Sequence, residues 1–190
     1  TSPNTAAALD SIRATISRKG ESEQYGVDAK AVKEITEMEN GPLMLAVGLG
    51  RVHESMLDTP DAAQAEGRIL GQGSTSVDGE RDRSALFTEV SVPVSENVEV
   101  QLALRSENYS DVGTTTNPKV AVRYQPSSTT LLRASVGTGF RAPSLTELYI
   151  GASVDRPFLI DGAIAPTPTQ YPVVDNGNPD LDPETSIALF

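Results

Sequence analysis

Three clusters in this 190-residue sequence carry residue types suited to chemistry. Gly137-Thr138-Gly139-Phe140-Arg141-Ala142 has the spacing G-x-G-x-x-A, in which glycines let backbone approach a pyrophosphate at a helix N-terminus. That chemistry needs a helix opening at the motif. Pro143 opposes one, and the residues before Gly137 alternate as in a half-exposed strand. Asp180, Asp182 and Glu184 lie close in sequence, but a calcium loop also needs a flexible glycine and a distant bidentate glutamate. The prolines beside these acids read as a solvated loop entering a strand. His53 is the only histidine, which leaves no multi-histidine metal site and no Ser-His-Asp triad elsewhere. It is expected at a strand end facing water. No carboxylate pair is fixed for acid–base work by spacing alone. Catalysis, a metal and a cofactor are therefore not expected.

The elements that would position these residues are strands. Val98, Val100, Leu102 and Leu104 interleave with Glu99, Gln101, Ala103 and Arg105. Val120, Val122 and Tyr124 interleave with Lys119, Ala121, Arg123 and Gln125, and Leu132, Ala134 and Val136 with Arg133 and Ser135. A side-chain period of two puts each set on one face of a sheet. Strands are expected over 25–38, 43–56, 83–94, 98–109, 118–125 and 130–140, with a new one beginning at Ser186. The first and third connections beyond them are tight turns, and so is the fifth. The second (57–82) is long and polar, the fourth (110–117) is a Gly/Thr/Asn loop, and the sixth (141 to about 184) is long and Pro-rich. Residues 1–24 are expected as a loop segment, with a short helix at Ala6–Arg13. Alternating short and long connections suit a membrane barrel, with short turns on one side and long loops on the other. Several strands exceed the ~5–6 residues common in soluble sheets and reach the ~9–11 that a tilted membrane strand needs.

The composition excludes several classes. A net charge of -11 supplies no basic patch to displace counterions, so nucleic acid is not a partner. There is no cysteine, hence no disulfide or thiolate chemistry, and no apolar run long enough for a membrane helix. Two features strain a barrel reading. Trp is absent and aromatics are few, which thins the interfacial girdles. Lys33, Arg51 and His53 also fall in phase with apolar positions, for which a bulge at Gly48 or Gly50 would be one remedy.

Asn117-Pro118-Lys119-Val120, Arg123-Tyr124-Gln125-Pro126, Leu132-Arg133-Ala134-Ser135 and Gly139-Phe140-Arg141-Ala142-Pro143-Ser144-Leu145 resemble the β-barrel of TonB-dependent outer-membrane receptors. Asn178-Pro179-Asp180-Leu181 with Pro183-Glu184-Thr185-Ser186 completes the likeness. The motif positions are Phe140, Arg141, Ala142, Pro143, Asn178, Pro179, Pro183 and Glu184. The resemblance implies an all-β fold of antiparallel up-and-down strands, part of a 22-stranded transmembrane β-barrel with long extracellular loops. Six strands would occupy 25–140, with short periplasmic turns. A long extracellular loop would fill 141–185, and the next strand would start over 186–190. It also implies a non-enzymatic importer in the outer membrane of a Gram-negative bacterium, taking up a scarce nutrient such as an iron chelate, cobalamin or oligosaccharide. The implied partners are a plug domain, the TonB protein, outer-membrane lipid and an extracellular nutrient. The chain shows neither plug nor TonB box and is expected to be an internal segment. On that reading Glu89, Glu99, Gln101, Arg105, Lys119, Arg123 and Arg133 line the lumen and meet the plug. The loop acids Glu147, Asp155, Asp161, Asp175, Asp180, Asp182 and Glu184, set against Arg141 and Arg156, would favour a neutral or cationic ligand over an anionic chelate. The alternative is a soluble antiparallel β-domain that binds a protein or glycan through long loops, its apolar faces paired into a sandwich core.

Overall fold

The computed structural model describes residues 4–66, 68–69, 74–155 and 157–190. Arg156 lies outside the described residues. A short helix, α1 (Ala6–Ile12), capped by the Thr5 side chain, precedes β1 (Arg18–Met38) and β2 (Gly41–Pro60). The four-residue helix α2 (Ala62–Ala65) lies in the connection to β3 (Val77–Ser95). Then follow β4 (Val98–Tyr109), β5 (Gly113–Ser127) and β6 (Thr130–Arg141). The long connection holds α3 (Leu145–Tyr149), β7 (Ser153–Asp155), β8 (Phe158–Asp161), β9 (Ala165–Gln170) and β10 (Val173–Asp175) before β11 (Glu184–Leu189). One antiparallel sheet has the order β1-β2-β3-β4-β5-β6-β11 and is not closed on itself. β7 pairs with β10, and β8 with β9, as two small ribbons within the last connection.

The strands run further than the alternation predicts. β1 starts at Arg18, not 25, and β2 and β3 extend to Pro60 and back from Val77. Part of the expected 1–24 loop segment and of the 57–82 connection is thus strand. The expected 110–117 loop is a tight turn, because β5 starts at Gly113, whose φ of +81° suits glycine, and continues through three β-branched threonines. The last strand begins at Glu184, two residues before Ser186. No bulge occurs at Gly48 or Gly50. Both stay in continuous register with β1 and β3, and the β1–β2 shift falls between Glu34 and Thr36. Gly48 is instead the place where the Phe87 ring, directly opposite in the ladder, lies against the wall.

Register assigns the faces. Val47, Thr88, Leu104 and Pro118 form one continuous row, and Leu45, Val90, Leu102, Val120 and Val136 the next. These rows make one apolar face. It is the exposed one: Leu49 is 62% exposed, Leu86 60% and Leu132 57%. The intervening small and polar residues, such as Ala121, Arg123 and Ser135, are more sheltered, as on the inner side of a curved sheet. A water-soluble protein has the opposite arrangement. Past the band the same face turns polar, with Arg51 and His53 against Asp82, and Asn108 bonded to Thr114. His53 is therefore within β2, half-buried and stacked on Tyr25, rather than at a strand end. Of the buried apolar residues, Leu145 and Leu148 belong to α3, Val77 begins β3 where α3 meets it, and Tyr109 ends β4.

Candidate functional site

Glu89, Glu99, Gln101, Arg105, Lys119, Arg123 and Arg133 all lie on the polar face. Directly opposed pairs connect them: Glu89 with Ala103, Ala103 with Lys119, Glu99 with Arg123, and Arg123 with Arg133. Toward the loop end the charges pair. Arg105 Nη2 donates to Glu107 Oε1 at 2.5 Å, Arg83 lies 3.6 Å from the same oxygen, and the Tyr109 hydroxyl reaches Glu107 Oε2 at 3.4 Å. Arg81, 4% exposed, holds Asp111 at 2.7 Å, donates to the Pro143 carbonyl at 2.7 Å, and lies 5.3 Å over the Tyr109 ring.

Those contacts begin a collar at the rim. Arg141 at the end of β6 donates to both oxygens of Glu147 at 3.1 Å and to Glu184 at 2.8 and 3.0 Å. Ser144 and Glu147 form a capping box that starts α3, each side chain bonding the other's backbone N–H. The Asn178 N–H donates to the Glu147 carbonyl, Gly177 N–H to Ile150, and Gly151 N–H to Ser76. Tyr149 covers Gly79, where a Cβ would sit 2.5 Å from its ring. The two family motifs, far apart in sequence, therefore meet in space. Arg141 clasps Glu184, Pro143 offers its carbonyl to Arg81, and Phe140 packs edge-on to Tyr109 at 5.8 Å. Asn178 also accepts the Asp180 N–H on Oδ1 in the turn that contains Pro179, and Pro183 leads directly into β11. Ala142 is half-buried between the clasp and α3. Alternation gave no sign of Arg81 or Asp111, because the countercharge of each comes from another strand or turn. The capping box was the local signal available for α3.

Gly137–Arg141 is strand, with no helix opening on it, and Glu184 is bound by Arg141. Among the described residues no group of three His, Asp or Glu side chains is placed to hold a metal. Of the loop acids, Glu147 and Glu184 share Arg141 and are not free to repel an anion.

The Arg141 guanidinium, helped by the Ser144 N–H and hydroxyl, holds the Glu147 carboxyl down at about 2, against an ordinary 4.5. Because the folded value is the lower one, Glu147 contributes stability above about 4.5 that is lost as pH falls toward about 2. Amide exchange at Leu148 and Ile150, corrected for intrinsic rate, is expected to stay constant down to pH of about 5 and accelerate below it. Glu147→Gln should be faster at neutral pH and lack that acid step. An identical pH profile in the variant would remove Glu147 from the collar.

An open antiparallel wall with its apolar rows on the more exposed face, its charged residues grouped on the other and a collar at one rim has the arrangement of a β-barrel segment. The family model for the TonB dependent receptor-like β-barrel matches residues 6–189, and the chain belongs to that family. The crystal structure of the siderophore receptor PirA from Acinetobacter baumannii is similar, with a TM-score of 0.61 at 20% identity. The match covers 90% of this chain and 24% of that one, a likeness of fold. No curated protein matches the sequence.

Proposed function

We propose that the chain is part of the wall of a TonB-dependent outer-membrane receptor that imports a scarce nutrient, an iron chelate, cobalamin or oligosaccharide. The observation that carries this reading is the sheet's exposed apolar face, with the charges grouped on the opposite one, within a member of this barrel family. In the intact protein a 22-stranded barrel would use the connections at 39–40, 96–97 and 128–129 as periplasmic turns and 142–183 as an extracellular loop. Lipid would cover the apolar face. The plug would occupy the lumen against Glu89, Glu99, Gln101, Arg105, Lys119, Arg123 and Arg133, and TonB would supply the energy. The soluble-domain alternative needs a second layer over the apolar face, and no element among the described residues packs across it.

Fractionation of the source cells, probed with antibody raised against this chain, tests the reading. A band several times the mass of the chain, confined to the outer membrane, is expected. A soluble band at the chain's own 20.1 kDa would overturn it.

A further inference from the structure

The ladder between β5 and β6 stops short of the rim. It runs from Ser127 opposite Thr130 to Lys119 opposite Gly137 and ends there. Beyond that point β5 continues to Gly113, paired with β4, and β6 continues to Arg141, paired with β11. The flanks that 113–118 and 138–141 turn toward each other therefore form no ladder pair. This is not fraying common to the whole rim, because the β4–β5 ladder reaches its turn at Tyr109 and Gly113. Pro118, the first residue of β5 past the ladder, has no N–H to offer. A side-chain bond crosses the seam instead, from Thr138 Oγ1 to Asn117 Oδ1 at 3.3 Å.

A cavity of about 850 Å³ lies over the seam, across β6 from β5 to the start of β11. Thr114, Thr115, Thr116, Asn117, Thr138 and Ser186 give it neutral hydrogen-bonding groups. The Thr115 hydroxyl is buried without a partner among the described residues. Phe140 adds an aromatic side and Asp182 a carboxylate, and neither lysine nor arginine is among the described residues that line it. Hydroxyl, amide, carboxylate and aromatic groups without a cation suit sugar rings, which present hydroxyls to the polar groups and C–H faces to the ring. They do not suit phosphate, which the carboxylate would repel.

The cavity opens on the apolar face. Thr114 and Thr116 are in phase with Val120, and Thr185 and Ile187 with Leu189, which opposes Val136. Ile187 is 76% exposed and Leu189 78%. The polar lining thus gives way directly to the apolar rows, the order of groups in a molecule with a sugar head and acyl tails. Acyl chains alone cannot satisfy the open strand flanks, since hydrocarbon neither donates nor accepts hydrogen bonds. A free saccharide would make no use of the apolar rows beside the cavity.

We propose that the seam between β5 and β6 binds the neutral sugars of an outer-leaflet glycolipid, whose acyl chains lie along the adjoining apolar rows. The proposal rests on the receptor reading above, which puts lipid on that face and the long connection outside the cell.

The test uses the intact receptor, extracted from outer membranes in an amine-oxide detergent that carries no sugar, stripped of lipid and titrated with lipopolysaccharide. Native mass spectrometry reads the fraction of barrels that carry it. The wild type is expected to bind lipopolysaccharide with its core sugars about tenfold more tightly than the same lipid without them. Asn117→Leu with Thr138→Val should lose that preference by removing hydrogen-bonding groups from the seam. Thr185→Tyr, at an exposed position, should lose it by filling the cavity while leaving those groups in place. Heat-resistant gel mobility checks that each variant keeps its barrel. A preference retained by either folded variant would overturn the slot. So would equal binding with and without core sugars, which would leave only acyl-chain or phosphate contacts. Free core oligosaccharide binding as tightly as the whole lipid would assign the cavity to a soluble glycan, again against the proposal. A wild-type protein that is soluble without detergent and gives no heat-resistant band would overturn the receptor reading, and the slot with it.

Discussion

Arg81→Met is expected to free the collar from the rim while leaving the ladders of the sheet in place. Arg81 is 4% exposed and holds Asp111, itself with a side chain only 8% exposed, together with the Pro143 carbonyl. Removing one member of a buried ion pair strands the other, at a cost of about 3–5 kcal/mol. At about 1.4 kcal/mol per power of ten, local opening of residues 144–151 rises by roughly two to three and a half powers of ten. Hydrogen exchange at Leu148 and Ile150 in the intact protein reads that opening directly. Asp111 Oδ1 is already buried without a partner, so leaving its other oxygen unpaired makes the loss worse. Arg81→Met with Asp111→Leu should recover much of the protection, because the doubly apolar pair leaves no buried charge. If Arg81→Met alone changes exchange by less than about tenfold, the collar is held by Arg141 and by the packing of Leu145 and Leu148, and Arg81 is incidental.

Where the apolar band runs, sheet order and face were legible, since the larger apolar residues of β4 and β5 keep to one side there, although Met44 and Phe87 stand on the other side of β2 and β3. Val98 to Arg105 and Leu132 to Val136 declare their faces without help. Beyond the band that contrast vanishes. Arg51 and His53 on one face of β2 are as polar as Glu54 on the other, and Thr114 to Asn117 are polar throughout. Hydrogen bonding to neighbouring strands, not alternation, carries β1, β2 and β3 onward there, which is why polar strand was read as loop. The same limit explains the misplaced bulge. Glycines at 48 and 50 suggest a kink, but the sequence does not say that a phenylalanine ring will sit opposite Gly48 and use the missing side chain.

The polar-face residues were legible because period two places all seven from strand phase alone. The collar was legible only in outline. Both motifs were recognisable, and Ser144 with Glu147 announces a helix start, yet their meeting depends on β6 and β11 being neighbours across the longest connection. Nothing local to Arg81 reveals that it is buried. Its partners lie in the β4–β5 turn and in the loop after β6, so its environment exists only once the strands are assembled.

On the proposed barrel reading, Leu102→Arg is expected to cost the intact protein about 2–4 kcal/mol of stability, the usual penalty for a lipid-facing cation near the bilayer midplane. Leu102 is in the middle apolar row, between Val90 and Val120, and 47% exposed. Its sequence neighbour Gln101 points to the opposite face and lies between Ser91 and Ala121. Gln101→Arg should change stability by little, because a water-accessible polar face solvates the charge. Urea unfolding of each variant in lipid vesicles measures the difference, and adjacent positions with matched substitutions cancel any effect of arginine on the strand itself. A soluble sandwich would also penalise Leu102→Arg, but it would show that penalty in detergent-free buffer with no bilayer present. A barrel should instead show a penalty that falls to about 0–1 kcal/mol when the arginine moves to the edge of the band, as at Leu132 beside the β5–β6 turn. Equal costs at Leu102 and Leu132 would mean that the apolar face is not graded by depth. The assignment of that face to lipid would then fail, whatever the likeness of fold.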